Sequence, residues 1–244
     1  MKLIAVFILL VALPSPGWAC SCSPGLPCWS GSGESYDFVG KPTKGRQMDD
    51  GTLAIDFLVS EAFGKLAGQS AVTVYTHAQS TACGYPFHRG VEYFVSANFY
   101  GSKLRTSSCS QTQPAITAAA LIRQTRAISA GKQPASLFGF IGVEPYPGVS
   151  PASRLEAKPT ASAVVIAVGK AGEFRTETAA DGSFEFPKLP ESTYHLRVQL
   201  PTDLFIWWAA NALKREYPVT AGKMCEADFR LYPKDDPFAA NQPR

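Results

Sequence analysis

The sequence has little of what side-chain catalysis commonly requires. It contains three histidines, His77, His88 and His195, and neither an H-E-x-x-H nor a G-x-S-x-G motif. No C-x-x-C pair or cluster of cysteine and histidine points to a zinc ribbon. The carboxylates show no pairing that indicates general acid–base chemistry. We therefore predict that the chain is not an enzyme, and we expect no cofactor.

Charge and long apolar runs are also scarce. Charged residues make up 18% of the chain, and the formal net charge is +3. No basic stretch is interleaved with aromatic residues, so nucleic acid is not an expected partner. The longest apolar run covers residues 3–13, whereas a helix that spans a bilayer needs about 20 such residues. The sequence therefore predicts no transmembrane span.

The first 19 residues are typical of a signal peptide. Lys2 precedes the apolar run, and Gly17 and Ala19 are the small residues expected before a cleavage site. The signal peptide would direct export to a periplasmic or extracellular space, and cleavage before Cys20 would make that residue the mature N-terminus. Acylation of Cys20, as in a bacterial lipoprotein, is the less favoured alternative, because Trp18 occupies a position where such sites carry a small residue.

Six cysteines follow the predicted cleavage site, and they share no metal-site spacing. An even number of cysteines in an exported chain favours disulfides over metal ligation. They are Cys20, Cys22, Cys28, Cys83, Cys109 and Cys225.

The first half of the chain has an all-β pattern that predicts a small closed barrel. Leu53, Ile55, Phe57 and Val59 alternate with other residues and should share one inward face. A helix is predicted from Pro114 to Gly131, docked on this barrel, because proline suits a first helical turn and glycine a helix end. The five predicted strands are Tyr36–Gly40, Leu53–Ala62, Ala71–Thr76, Val91–Phe99 and Lys103–Ser108.

The second half predicts a seven-stranded β-sandwich of immunoglobulin type, because short β-branched runs alternate with turn signals. The domain prediction is residues 20–131, a linker at 132–136, the sandwich at 137–233 and a flexible tail at 234–244. The seven predicted strands are Phe138–Val143, Ala163–Val168, Glu173–Thr178, Ser183–Phe186, Tyr194–Leu200, Tyr217–Thr220 and Cys225–Leu231.

The two cysteines at the predicted mature N-terminus raise a functional hypothesis. In an extended chain Cys20 and Cys22 face the same way, so disulfides at both would hold the terminus rigid while Ser21 faces solvent. A free terminal amine has a pKa near about 8, and its neutral form is a nitrogen ligand. Together with the carbonyl oxygen of the same residue it could chelate the zinc of a protease, whose catalytic site keeps one position open.

Several segments of the first half resemble the tissue inhibitor of metalloproteinases (TIMP) family and its netrin-like relatives. They are the C-x-C at 20–22, "DFVG" at 37–40, "VTVYT" at 72–76, "ACGYPFHRGVEYFV" at 82–95 and "SSCSQTQP" at 107–114. The resemblance covers residues 20–130 and implies an OB-type barrel.

The TIMP resemblance also implies disulfides and residue roles. The pairs would be Cys20–Cys83 and Cys22–Cys109. The amine and carbonyl of Cys20 would bind the protease zinc in trans, and Ser21 would enter the specificity pocket. The implied inhibitory ridge consists of Cys20, Ser21, Cys22, Ser23, Pro24, Ser80, Thr81 and Ala82.

The third cysteine departs from the TIMP pattern. The family pairs it within the same domain, but no cysteine lies between Cys109 and Cys225. Cys28 therefore either forms a disulfide with Cys225 across the two domains, or both are free thiols.

The second half resembles carboxypeptidase regulatory-like (transthyretin-like) sandwiches, on residues 163–201 with a T-x-x-D-G-x-F-x-F core at 178–186. Such modules imply an accessory or binding role. Trp207 and Trp208 either form an aromatic binding patch or cover the seam between the domains or the edge of the sandwich.

Two functions fit these observations, and both are non-catalytic. The sharper one is a TIMP-like inhibitor of a zinc metalloendopeptidase that acts through its mature N-terminus. The alternative is a general extracytoplasmic adhesion or carbohydrate-binding protein, whose partner is a glycan or an envelope protein.

Overall fold

The computed structural model describes residues 22, 28–30, 36–78, 83–145, 155–200, 202–206, 213 and 215–234. Most of these residues belong to β-strands, and one α-helix lies among them, so the prediction of an all-β chain is confirmed at this level. Within the described ranges no helix has the length and apolar character needed to cross a bilayer.

Six strands of the first half form one sheet in the order β2-β3-β4-β6-β5-β7. Strand β2 also pairs with β5, so the hydrogen-bonded order returns to its first strand. The alternation of residues 53–59 correctly predicted which face of their strand packs inward. Ile55 and Phe57 are buried in the core, and Leu53 and Val59 pack against it. The strands are β2 (Tyr36–Gln47), β3 (Thr52–Ala62), β4 (Ala71–His77), β5 (Tyr93–Tyr100), β6 (Lys103–Arg105) and β7 (Gln113–Pro114).

Helix α1 (Ala119–Ser129) begins five residues later than the sequence predicts. Pro114 belongs to β7 instead, where it pairs with Tyr93. The Thr117 hydroxyl donates a hydrogen bond of 3.0 Å to the Pro114 carbonyl, and this turn separates strand from helix. The predicted end of the helix, Gly131, is two residues beyond the observed end at Ser129. Gly131 has a φ of 68°, a left-handed conformation that glycine adopts easily and that ends the helix.

The second half contains two sheets. One is centred on β8 (Leu137–Val143), which pairs with β9 (Lys158–Pro159), β12 (Ser183–Phe186), β16 (Met224–Glu226) and β17 (Phe229–Pro233). The other has the order β11-β10-β13-β15, formed by β10 (Val164–Gly169), β11 (Gly172–Glu177), β13 (Ser192–Gln199) and β15 (Tyr217–Val219). Side chains from both sheets, including Ile141, Val165, Tyr194 and Phe229, form a common apolar cluster.

The strand predicted at Cys225–Leu231 is two strands, β16 and β17. The Asp228 side chain accepts the Phe140 N–H at 3.0 Å, so a side chain takes the place of a backbone partner between them. Two further short strands join the same sheet: β1 (Cys28–Trp29) pairs with β16, and β14 (Leu204–Ile206) pairs with β17.

The two halves are in extensive contact. Phe94 and Leu121 from the first half share an apolar cluster with Phe138 and Met224 from the second. The predicted linker at 132–136 is attached to helix α1, because the Ala135 N–H donates a hydrogen bond of 2.7 Å to the Gln124 side chain. The halves therefore pack through buried side chains in addition to the covalent chain.

Candidate functional site

Cys22 is exposed and is bonded to Cys109, the pairing that the TIMP resemblance implies. The Cα atoms of this disulfide are 5.3 Å apart, and the bond spans 87 residues of sequence. Cys109 is exposed too. The N-terminal segment is thus fixed at residue 22 on the surface of the first half, where a partner can reach it.

Cys83 lies beside this disulfide and is itself disulfide-bonded. Its sulfur is 3.9 Å from the sulfur of Cys109. The predicted partner of Cys83 is Cys20, which lies outside the described residues. Cys83 also has a φ of 60°, a left-handed conformation that costs a residue other than glycine on the order of 1–3 kcal/mol.

Backbone and hydroxyl groups tie the loop around Cys83 to the loop around Cys109. The Ser108 N–H donates 2.9 Å to the Cys83 carbonyl, and the Ser108 hydroxyl donates 2.7 Å to the Gly84 carbonyl. Hydrogen bonds therefore join residues 83–84 to Ser108 beside the sulfurs, and they help to hold Cys83 in its strained conformation.

A buried hydroxyl network lies beneath these loops. Thr106 and Thr112 hydroxyls are 2.7 Å apart, and both donate to the Ser96 carbonyl. Thr106 is also 2.8 Å from the Ser110 hydroxyl, next to Cys109. The serine- and threonine-rich run at 106–112 is the sequence signal of this network, but the run does not by itself predict the contacts with Ser96.

An aromatic cluster supports the segment that follows Cys83. Tyr85, Phe87 and Tyr93 are mutually in contact, with ring centroids 4.7–5.9 Å apart. The Tyr93 hydroxyl accepts the His88 N–H at 2.9 Å, while burial raises the pKa of its phenol. This cluster is where the "CGYPF" part of the motif enters the core.

Cys28 is bonded to Cys225, so of the two alternatives left open by the sequence the structure has the disulfide between the halves. Both residues are buried, and they face each other in the pairing of β1 with β16. The Gln111 amide donates 3.2 Å to Glu226, so the loop that carries Cys109 also contacts the second half next to this disulfide.

The remaining predicted site residues lie outside the described residues. They are Cys20, Ser21, Ser23, Pro24, Ser80, Thr81, Ala82, Trp207 and Trp208. Among the residues that are described, no three acids, histidines or cysteines are grouped as metal ligands would be.

All three histidines are exposed, and each lies on a different element or loop. His77 ends β4 and is exposed, as is His88 in the following loop. His195 lies on β13 in the second half, where its ring nitrogen is 3.8 Å from Glu216.

No family model matches the chain, and a search of curated proteins finds no match.

Proposed function

We propose that the chain is an exported, non-catalytic protein that binds a zinc metalloendopeptidase through its mature N-terminus and inhibits it. Cys20 would supply its main-chain amine and carbonyl to the protease zinc, and Ser21 would occupy the adjoining specificity pocket. The first half would then be a TIMP-like domain on an OB-type barrel, and the second a carboxypeptidase regulatory-like sandwich.

One observation carries this proposal: Cys22 is exposed and covalently fixed beside a second disulfide-bonded cysteine, Cys83. A terminus held in this way loses little conformational entropy when it binds. A stiff N-terminus two residues before Cys22 is the geometry that chelation in trans requires.

The topology of the first half also supports the proposal. Five strands follow one another in a ring, since β2 pairs with both β3 and β5. An OB-type barrel is a five-stranded sheet of this kind, with loops that carry its binding surface. The segments at Cys83 and Cys109 lie between strands of this sheet, after β4 and after β6, and they carry the disulfide-bonded cysteines next to the proposed ridge.

The test compares two forms of the protein that differ by one residue. The form that begins at Cys20 is assayed against a panel of zinc metalloendopeptidases with a fluorogenic peptide substrate. The second form carries one extra alanine before Cys20, which moves the free amine away from the zinc. We expect inhibition by the first form and an inhibition constant at least about a hundredfold weaker for the second, or roughly 3 kcal/mol.

The matched control carries the extra alanine at the C-terminus and should inhibit normally. Intact mass before and after reduction checks the material: a rise of about six mass units indicates three disulfides, and added acyl mass would show a blocked amine. Equal inhibition by the N-terminally extended form would contradict the chelation mechanism. If a correctly disulfide-bonded protein with a free amine inhibits no enzyme of the panel, the adhesion alternative is favoured.

A further inference from the structure

A cavity of about 280 Å³ opens in the first half, and none of the residues that line it is a cysteine. Its wall is formed by β2 around Thr43 and Gly45, by Ile55 of β3, and by Phe87 and Arg89 of the segment before β5. Neither the TIMP resemblance nor the proposed inhibitory ridge involves these residues as a group.

The cavity exists because β2 is irregular and carries a glycine at this point. The pairing of β2 with β3 shifts register between Pro42 and Lys44, so Thr43 is the extra residue of a bulge. Gly45 lies opposite Ile55, and a Cβ atom placed there would be 3.2 Å from the Ile55 side chain. Bulges often occur where a strand helps to form a site.

The floor of the cavity is apolar. Ile55 belongs to the buried core of the first half, and Phe87 packs against Phe57 with ring centroids 5.0 Å apart. The aromatic contacts on Phe87 fix its orientation, so this wall is pre-formed.

The rim of the cavity is cationic. Lys44 and Arg89 both line it and are exposed, and none of the described residues that line it is acidic. The acid nearest in register to Lys44 is Asp56, which already accepts from Arg46 at 3.0 Å and from Thr73 at 2.8 Å. Two positive charges thus stand above an apolar floor.

We propose that this cavity binds a small carboxylic acid with an aliphatic or aromatic body. The body would lie against Ile55 and Phe87, and the carboxylate would pair with Lys44 and Arg89. An arginine can engage a carboxylate through two parallel hydrogen bonds, which orients the ligand. A volume of about 280 Å³ is near the lower end of ligand pockets, so a compact molecule fits best. This function is independent of the proposed protease inhibition.

The test uses 3-phenylpropionate and its neutral amide as matched probes on the full chain. Binding is followed by NMR shifts of the backbone amides of residues 42–45 and 87–89, and by calorimetry. For a ligand of this size we expect a Kd between roughly 0.1 and 4 mM for the acid. The amide should bind at least about tenfold more weakly, because it lacks the charge.

Variants distinguish the cavity from the rest of the surface. Gly45→Val should abolish binding by filling the cavity, since Gly45 does not have a positive φ and valine suits a strand. Lys44→Ala and Arg89→Ala should each weaken binding about tenfold. Lys41→Ala removes an exposed cation of β2 that does not line the cavity, and it should bind like wild type. Thermal unfolding checks each variant, and Gly45→Ala serves if Gly45→Val does not fold.

Three results would overturn the proposal. Equal binding of acid and amide would remove the role of the two cations. No shift at residues 42–45 and 87–89 at about 20 mM acid would show that the cavity does not take this chemistry. A peptide with a free C-terminal phenylalanine that binds more than about tenfold tighter than 3-phenylpropionate would identify a polypeptide terminus as the ligand instead.

Discussion

At the scale of single residues, Gly139 on β8 has the closest backbone neighbour of the described glycines. A Cβ atom there would be 1.8 Å from the Ala227 carbonyl oxygen, which is backbone and cannot move aside alone. The Ala227 N–H donates a hydrogen bond of 2.9 Å to the Phe138 carbonyl. The close approach of Ala227 to Gly139 is therefore part of the backbone pairing with β8. Glycine is needed at position 139 because a larger side chain would collide with the Ala227 backbone. The backbone conformation of Gly139 does not itself require glycine, since its φ is not positive.

Gly139→Ala should therefore lower the free energy of unfolding by about 3 kcal/mol, because β8 and the segment between β16 and β17 must separate. Urea denaturation followed by circular dichroism measures this loss. Gly45→Ala is the control: its new Cβ would meet only the tip of the Ile55 side chain, at 3.2 Å, and we expect a loss below about 1 kcal/mol. Equal losses in the two variants would refute the argument from backbone approach.

At the scale of elements, helix α1 is joined to the second half by a cluster of charges. Arg123 of α1 pairs with Glu185 and Asp181, both at 2.8 Å, and donates to Ser183 as well. Burial opposes ionisation of Asp181, but hydrogen bonds from Ser183 and Arg123 outweigh it and lower the pKa of this carboxyl. The charged form of Asp181 is thus favoured in the folded chain.

This lowered pKa gives stability a definite pH dependence. Asp181 contributes to the free energy of unfolding at pH values above the pKa that its carboxyl has in the unfolded chain, which is about 4. This contribution is lost as the pH falls through the lower pKa of the folded protein. Asp181→Asn should lower stability by about 1 kcal/mol at pH 6, a small figure because the side chain is 42% exposed and solvent screens the pair. The difference from wild type should shrink toward pH 2, measured by urea unfolding at each pH. A difference that stays constant with pH would exclude the ionic contribution.

The elements that the sequence predicted well depend on local pattern. The strand predicted at Leu53–Ala62 is β3 within one residue, because alternation of side chains is a local property of the chain. The start of α1 was wrong because Pro114 is paired with Tyr93, 21 positions earlier in the chain, and no local signal contains that pairing. The hydroxyl network and the cavity were missed for the same reason, since each joins parts of the chain that are distant in sequence. The network joins Ser96 to the segment 106–112, and the cavity joins β2 and β3 to residues 87–89.

At the scale of the whole molecule, the disulfides differ in their access to solvent. Cys28 and Cys225 are 4% and 0% exposed, whereas Cys22 and Cys109 are exposed at the surface. A reductant must reach a sulfur to attack it, so access limits the rate of reduction. The bond that holds the N-terminal segment is therefore open to reduction, and the bond between the two halves is protected.

A dithiol reductant under native conditions should reduce Cys22–Cys109 well before Cys28–Cys225. Alkylation of the freed thiols at timed intervals, followed by peptide mass spectrometry, measures the order. In concentrated guanidinium chloride the difference in rate should disappear, because both bonds are then equally accessible. Labelling of Cys225 as early as Cys22 in the native protein would contradict the protection that burial gives.

The disulfide between Cys28 and Cys225 also has a consequence for biosynthesis. Its cysteines are 197 residues apart, so at ordinary translation speeds Cys28 waits roughly 10–40 s for its partner to be made. During that time Cys22, Cys83 and Cys109 have all left the ribosome before Cys225 exists. The nascent chain thus carries an odd number of thiols for most of its synthesis, and the bond between Cys28 and Cys225 cannot form until nearly the whole sequence has been translated.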